Sequence, residues 1–418
     1  MSIGYACIIE GVNNIRYKTV KLSNLNDDKL REIISHNLNT LEKAIDYNIS
    51  KNIKLYRITS ELIPFASTDY VTINWEEEYR DYFKKIGDKI KKHNIKVSLH
   101  PGQYSVLNSF NEKVVNSAIR DLEYHTKVLD LLGLDFSFKM VLHIGGIYFD
   151  KELAIKNFIK NFELLSTNAK RRLIIENDDK SFNILDLLRI SSEINIPVVY
   201  DNLHNSINSI DDSITDFEWI KLCSKTWKKD DGRQKVHYSI QAPNKKIGSH
   251  SETIYIEQFL EYYNSLDNLD IDIMLEVKDK NISALKCINA TRKNKDIRYL
   301  EEEWSLFKLY ILQKSYKKYK KISKLLTEKS KYPVIKFYAM IEECYSLKVN
   351  KKSCIRSIEE VWKQIKDYAL DNEKINFEKK FIKYKKNEIS LKAMKNYLLS
   401  LSLKYNIDNL ITSYYFYF

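Results

Sequence analysis

Apolar positions in the first 300 residues or so fall into two rhythms. Short β-branched or apolar runs occur at 3–8, 53–58, 95–99, 138–143, 172–176, 197–201, 235–239 and 271–277. Between them lie longer stretches in which apolar positions recur at helical spacing. Eight β runs alternating with helices predict an α/β fold, a parallel sheet closed into a TIM (β/α)8 barrel. An open doubly wound sheet is the alternative, but it ordinarily carries a Gly-rich phosphate loop, and the chain holds only nine glycines.

Past about residue 296 the β runs stop. The stretch ILQKSYKKYKKISKLL at 311–326 reads as one basic amphipathic helix. It puts Leu312, Tyr316, Tyr319, Ile322 and Leu326 on one face and Lys314, Lys317, Lys318, Lys321 and Lys324 on another. Periodic segments at 334–347, 355–369 and 391–405 follow, before an aromatic ending, SYYFYF, at 413–418. The expected organisation is a barrel over 1–296 and a basic, mainly helical domain over 297–418.

Composition changes this picture in three places. The opening MSIGYACIIEGV lacks the basic and apolar regions of a secretion signal, and no run approaches the roughly 18 apolar residues of a membrane span. A soluble, cytoplasmic protein without a membrane partner is expected. Cys7, Cys223, Cys287, Cys344 and Cys354 are odd in number and lack C-x-x-C spacing, so they read as idle thiols. The net charge of +12 is uneven: residues 301–418 hold 25 Lys and Arg against 14 acidic residues, leaving 43 against 42 for 1–300. An excess confined to one piece suggests a polyanionic partner, the alternative being a Lys-, Ile-, Asn- and Tyr-rich coding bias; the lysines of the 311–326 helix are candidate phosphate contacts, or else a solvated face.

In such a barrel the chemistry sits at the C-terminal ends of the strands. Those ends present Tyr5, Arg57, His100, His143, Glu176, Asp201 with His204, Lys235 with His237, and Glu276, while His250 lies in the loop after the seventh run. Five of the eight histidines therefore converge on one mouth. Five imidazoles and three carboxylates crowded together are tolerable chiefly when cations share the charge, which predicts a multinuclear metal site. His36, His93 and His125 fall in helical stretches and read as surface or packing residues. At the third strand end, KVSLHPGQYSVLNS (96–109) delivers His100, turns at Pro101-Gly102 and presents Gln103 and Tyr104.

These residues resemble those of the UV damage endonuclease family. The likeness covers about residues 1–290 and rests on LIPFAS (62–67), LHPGQY (99–104), LHIGG (142–146), IENDDK (175–180), YDNLH (200–204), KVHYS (235–239), GSH (248–250) and MLEVK (274–278), in order. It implies a metal-dependent DNA repair endonuclease that cuts immediately 5′ to ultraviolet photoproducts in double-stranded DNA. Three divalent cations, with manganese expected, would be divided among His100, His143 and Glu176; Glu176, Asp201, His237 and Glu276; and His204 and His250. Glu176, His237 and Lys235 would carry the chemistry, with Lys235 turned away, or neutral or carbamylated so that its carboxylate-like end bridges to metal, or else gripping a phosphate. Clustered dications suit a phosphodiesterase because they acidify water and neutralise both attacking and leaving oxygens. Gln103 and Tyr104 would wedge into DNA beside the damaged bases, with Tyr5 and Arg57 on the same reading surface. No obligate protein partner is implied, and the location would be cytoplasmic, with the nucleoid during repair.

Two departures stand out. Thr68 and Asp69 occupy the place after LIPFAS where the family commonly has a histidine. ACIIEGVNN after Tyr5 lacks the usual polar pattern, with Asn13 or Asn14 as partial stand-ins. Competing readings are an abasic-site endonuclease with the same metals, a xylose-isomerase-like sugar isomerase, and a degenerate barrel that only binds damaged DNA. The isomerase explains neither LHPGQY nor the basic tail.

Overall fold

The computed structural model describes every residue except Asn13 and Asn268, so Asn13, weighed above as a stand-in, lies outside the described residues. Among the described residues, eight parallel strands form one sheet: β1 (Ser2–Ala6), β2 (Leu55–Arg57), β3 (Lys96–Ser98), β4 (Met140–His143), β5 (Leu173–Glu176), β6 (Val198–Asp201), β7 (Lys235–Tyr238) and β8 (Asp272–Leu275). Their order, β3-β2-β1-β8-β7-β6-β5-β4, leaves β3 and β4 at the two ends. Leu99 joins those ends, accepting from Val141 at 3.0 Å and donating to the Lys139 carbonyl at 3.1 Å. The sheet is thus the barrel that the two rhythms predict.

Alternation along each strand decides what faces inward. Ala6, Leu55 and Met274 pack together, as do Val141, Ile174 and Val199. The intervening side chains face the helices: Tyr5 is 0% exposed and its hydroxyl donates to Asn48 Oδ1, 2.8 Å away on the helix Asp27–Ser50. Asn26 caps that helix by accepting from Lys29 N at 2.8 Å, and Leu30, Ile33, Ile34, Leu38, Leu41 and Ile45 bury its inner face. Full burial of such a side chain contributes about 1.5–3 kcal/mol. The inward residues at the strand ends are therefore held on rigid, dry walls.

The chain divides into two compact units: Met1–Ile9, Ile15–Ile254 and Glu261–Leu285 in one, and Glu10–Asn14, Tyr255–Leu260 and Lys286–Phe418 in the other. The second unit is helical and has its own core, in which Cys354, Ile358, Val361, Phe377, Met394 and Leu398 are fully or almost fully buried. The expected single helix over 311–326 is two: Arg298–Lys314 ends, and Tyr316–Leu325 restarts with Ser315 as its N-cap, accepting from Lys318 N. Serine's preference for capping over helix interiors explains the break. Lys314 accordingly leaves the lysine stripe and donates to Leu347 O at 2.9 Å, while Lys318 pairs with Glu343. Lys317, Lys321 and Lys324 remain exposed. The aromatic ending is packed, with Tyr414 against Phe307 (4.7 Å between ring centres) and Phe418 against Tyr310 (4.7 Å). None of the five cysteines, all of them described residues, forms a disulfide.

Candidate metal centre

Glu176, at the end of β5, is fully buried beneath four imidazoles. Its Oε2 lies 3.2 Å from His100 Nε2 and 3.5 Å from His143 Nε2, and its Oε1 lies 2.6 Å from His237 Nδ1 and 3.6 Å from His204 Nδ1. Three donor groups form around it: His100, His143 and Glu176; Glu176, Asp201 and His204; Glu176, His237 and Glu276. Burial alone would raise the Glu176 pKa, but His237 and His143 hold the carboxyl well below its usual range.

Local sequence builds each arm. The D-N-L-H run makes Asp201 the N-cap of the short helix Asn202–Ile207, so Asp201 Oδ1 accepts from His204 N at 2.8 Å and the ring folds back over the carboxylate. Asp201 Oδ2 is left buried without a partner. Burial raises the Asp201 pKa; His204, against the effect of its own burial, is pushed up to about 9 by Asp201 and Glu176. His100 Nδ1 faces the Pro101 carbonyl at 3.1 Å, which makes Nδ1 the protonated nitrogen and turns the bare Nε2 toward Glu176 Oε2. Burial lowers the His100 pKa; with Nδ1 protonated, Nε2 and Glu176 Oε2 are two acceptors 3.2 Å apart. That confrontation, the orphaned Asp201 oxygen and a buried, unpartnered His143 Nδ1 fit a nitrogen-and-oxygen site for divalent cations.

Arg57 is not on a DNA-reading surface. Its guanidinium is buried and donates to Glu276 Oε1 and His237 Nε2, each at 2.7 Å. Arg57 is an inward residue of β2, so its side chain reaches the third donor group and serves there as the resident cation. Burial would raise the Glu276 pKa, yet Arg57 and then His237 hold it low.

Tyr5 is likewise corrected: parity on β1 turns it toward the helices, where it cannot meet DNA. His204 joins Asp201 and Glu176 rather than His250, whose Nε2 faces Glu276 Oε2 at 3.8 Å. Lys235 lies two residues before His237 on the same inward face, over the Trp227 ring at 5.6 Å. Burial pushes its amine down to about 8, and the charges around it are Asp272, Lys139, Lys96 and Arg233. Thr68 turns back on its own loop, donating to Phe65 O at 2.7 Å. Gln103 is exposed and Tyr104 is 66% exposed.

Asn177 was not singled out by the sequence pattern. Its side chain clamps the Asp201 backbone, accepting from N at 2.9 Å and donating to O at 3.1 Å, while its carbonyl faces His204 Nδ1 at 2.9 Å. The one signal available was its place beside Glu176 at a strand end. His125, read as a packing residue, is buried with Nδ1 at 2.6 Å from Asp121 O.

Comparison with known proteins gives a consistent pattern. A family model described as UV-endonuclease UvdE matches residues 1–304, and one described as a protein of unknown function (DUF1722) matches 308–418. A UV DNA damage endonuclease of Clostridium perfringens is 42% identical over 422 residues, covering 99% of both chains. One from Bacillus cereus is 33% identical over 266 residues, which is 63% of this chain and 83% of that one. The crystal structure of SacUVDE superposes with a TM-score of 0.65 at 40% identity, covering 69% of this chain and 96% of the other.

Proposed function

This chain belongs to the UV-endonuclease UvdE family and is a DNA endonuclease; on that premise we propose that it hydrolyses the phosphodiester bond immediately 5′ to pyrimidine dimers and 6-4 products in duplex DNA. The observation that carries the reading is Glu176, one buried carboxylate shared by all three donor groups. We assign three divalent cations, manganese by preference, to His100, His143 and Glu176; to Glu176, Asp201 and His204; and to Glu176, His237 and Glu276, with His250 beside Glu276. When bound, such cations supply Lewis acidity and charge neutralisation for in-line displacement at phosphorus.

The chain's own residues do the rest. Asn177 fixes Asp201 and His204, and the Pro101 carbonyl sets the His100 tautomer so that Nε2 points inward. Arg57 keeps positive charge against Glu276, and its contact with His237 Nε2 orients that ring with Nδ1 toward Glu176. Lys235, its amine near neutrality, is disposed to take up carbon dioxide as a carbamate, adding an anionic end on the inward face below His237. Gln103 and Tyr104, exposed after His100, supply an amide for unpaired base edges and a ring to replace lost stacking. Lys317, Lys321 and Lys324 of the second unit are assigned to DNA phosphates.

Nicking of a defined dimer-containing duplex tests the reading, with an abasic duplex of the same sequence as comparator. Preference for the dimer supports it, and cutting of the abasic duplex alone would reassign the chain to abasic-site repair.

A further inference from the structure

Phe149, on the loop after β4 and six residues beyond His143, is fully exposed. We propose that Phe149 is a second apolar prong, alongside Gln103 and Tyr104, that packs against the disturbed base stack of a damaged duplex and sharpens lesion selectivity. The inference rests on the DNA-incision reading above.

The position finds no packing partner on its own helix. Asp150 is the N-cap of the helix Lys151–Phe162, accepting from Leu153 N at 3.1 Å, so Phe149 immediately precedes a cap. An apolar residue there commonly staples onto the fourth helical residue, here Ala154, which is fully buried. Phe149 stays in solvent instead.

The loop that carries it is braced rather than loose. Tyr148 adopts φ +58°, a left-handed conformation that bulky residues rarely take, and its ring stands edge-on to Phe110 at 5.2 Å. Asn108, fully buried, donates to Gly146 O at 2.7 Å. Gly145 has φ +116°, and a Cβ there would come within 2.3 Å of Asn108 Oδ1, so only glycine fits. Asn108 and Phe110 belong to the segment between β3 and the helix Glu112–Leu131, the segment that also carries Gln103 and Tyr104. The Tyr104 ring lies close over Gly102, where a Cβ would come within 2.3 Å of it. Both prongs thus stand on one bonded pair of loops, each rooted in a strand-end histidine of the metal centre.

An exposed aromatic on a braced loop that begins at a strand-end histidine of such a centre is suited to a partner that already offers unstacked ring faces. Ultraviolet photoproducts weaken stacking and leave neighbouring bases exposed. Continuity with the Gln103-Tyr104 loop selects DNA bases over a protein or lipid surface.

The test is equilibrium binding by fluorescence anisotropy with the full chain. Duplexes with one cyclobutane dimer and undamaged duplexes are compared, with chelator present to prevent cutting. Phe149→Ala should weaken dimer-duplex binding roughly 5- to 150-fold, the range for one lost stack, with less than about a twofold change on undamaged duplex. Phe149→Trp should retain the preference. Unchanged dimer binding by Phe149→Ala, or equal loss on both duplexes, would overturn the proposal. If wild type nicks the dimer duplex with metal while Phe149→Ala binds normally, only Phe149 is rejected; if wild type neither prefers nor nicks it, the incision reading fails as well.

Discussion

Replacing Arg57 by methionine removes the one guanidinium buried between Glu276 and His237, at 2.7 Å from each, while keeping most of its bulk. In metal-free protein this leaves the buried Glu276 carboxylate without its counter-charge. Breaking such a pair from one side costs about 3–5 kcal/mol. At roughly 2–4 °C per kcal/mol for domains near this size, the barrel should melt roughly 6–20 °C lower. Cations bound at the adjoining donor groups supply positive charge to the same carboxylate. Saturating manganese should therefore stabilise the variant more than wild type and narrow the gap. At a hundredfold excess over its dissociation constant, each site adds about 2.7 kcal/mol. Thermal melts of both proteins, metal-stripped and manganese-loaded, with metal content measured on the same samples, give the four numbers needed. A stripped variant melting within about 2 °C of wild type would refute the buried pairing. A gap that manganese leaves unchanged would refute the shared electrostatics of Arg57 and the cation site.

Glu176→Gln and His237→Ala should abolish metal-dependent nicking and lower bound metal while circular dichroism stays native-like; near-normal incision by either folded variant would contradict the assigned centre. Replacing Gln103 and Tyr104 together by alanine should weaken dimer-duplex binding on the order of 5- to 150-fold and undamaged-duplex binding far less, as read by anisotropy. His204 is pushed up to about 9, above its ordinary 6.5, so its protonated form stabilises the metal-free fold fully below pH 6.5 and ceases to do so as pH rises through about 9. Cations must displace that proton; calorimetry in two buffers of different ionisation enthalpy should show proton release on manganese binding at pH 7, with affinity rising toward pH 9, and no release would contradict the His204 assignment. Lys317, Lys321 and Lys324 changed together to glutamine should reduce the log–log salt slope of duplex binding by up to about 2.7, and an unchanged slope would leave those lysines merely solvated.

The barrel was legible because eight β runs alternate with helices, and the site because polar residues at or just past the strand ends of one barrel meet at one mouth. His100, His143, Glu176, Asp201, His237 and Glu276 follow from that rule and converge in the structure. What the rule omits is parity and local closure. Tyr5 and Arg57 also stand at strand ends, yet one side of β1 faces helices, and a long inward arginine on β2 finds carboxylates before it finds solvent. His204 was separable from His250 only by seeing Asp201 act as a helix cap. In the second unit, Ser315 broke an expected helix because a cap and an interior serine look alike in a hydrophobic pattern. The helix Asp371–Lys385 escaped notice for the opposite reason: its charged sequence hides Phe377, Phe381 and Tyr384, the narrow stripe it buries.

The most direct test of the central claim is incision mapped at nucleotide resolution on a duplex bearing one thymine cyclobutane dimer, with manganese and with chelator. The account predicts a single cut at the phosphodiester immediately 5′ to the dimer, present with manganese and lost with chelator. Cutting elsewhere, cutting that survives full metal removal, or no cutting by metal-loaded protein would contradict it.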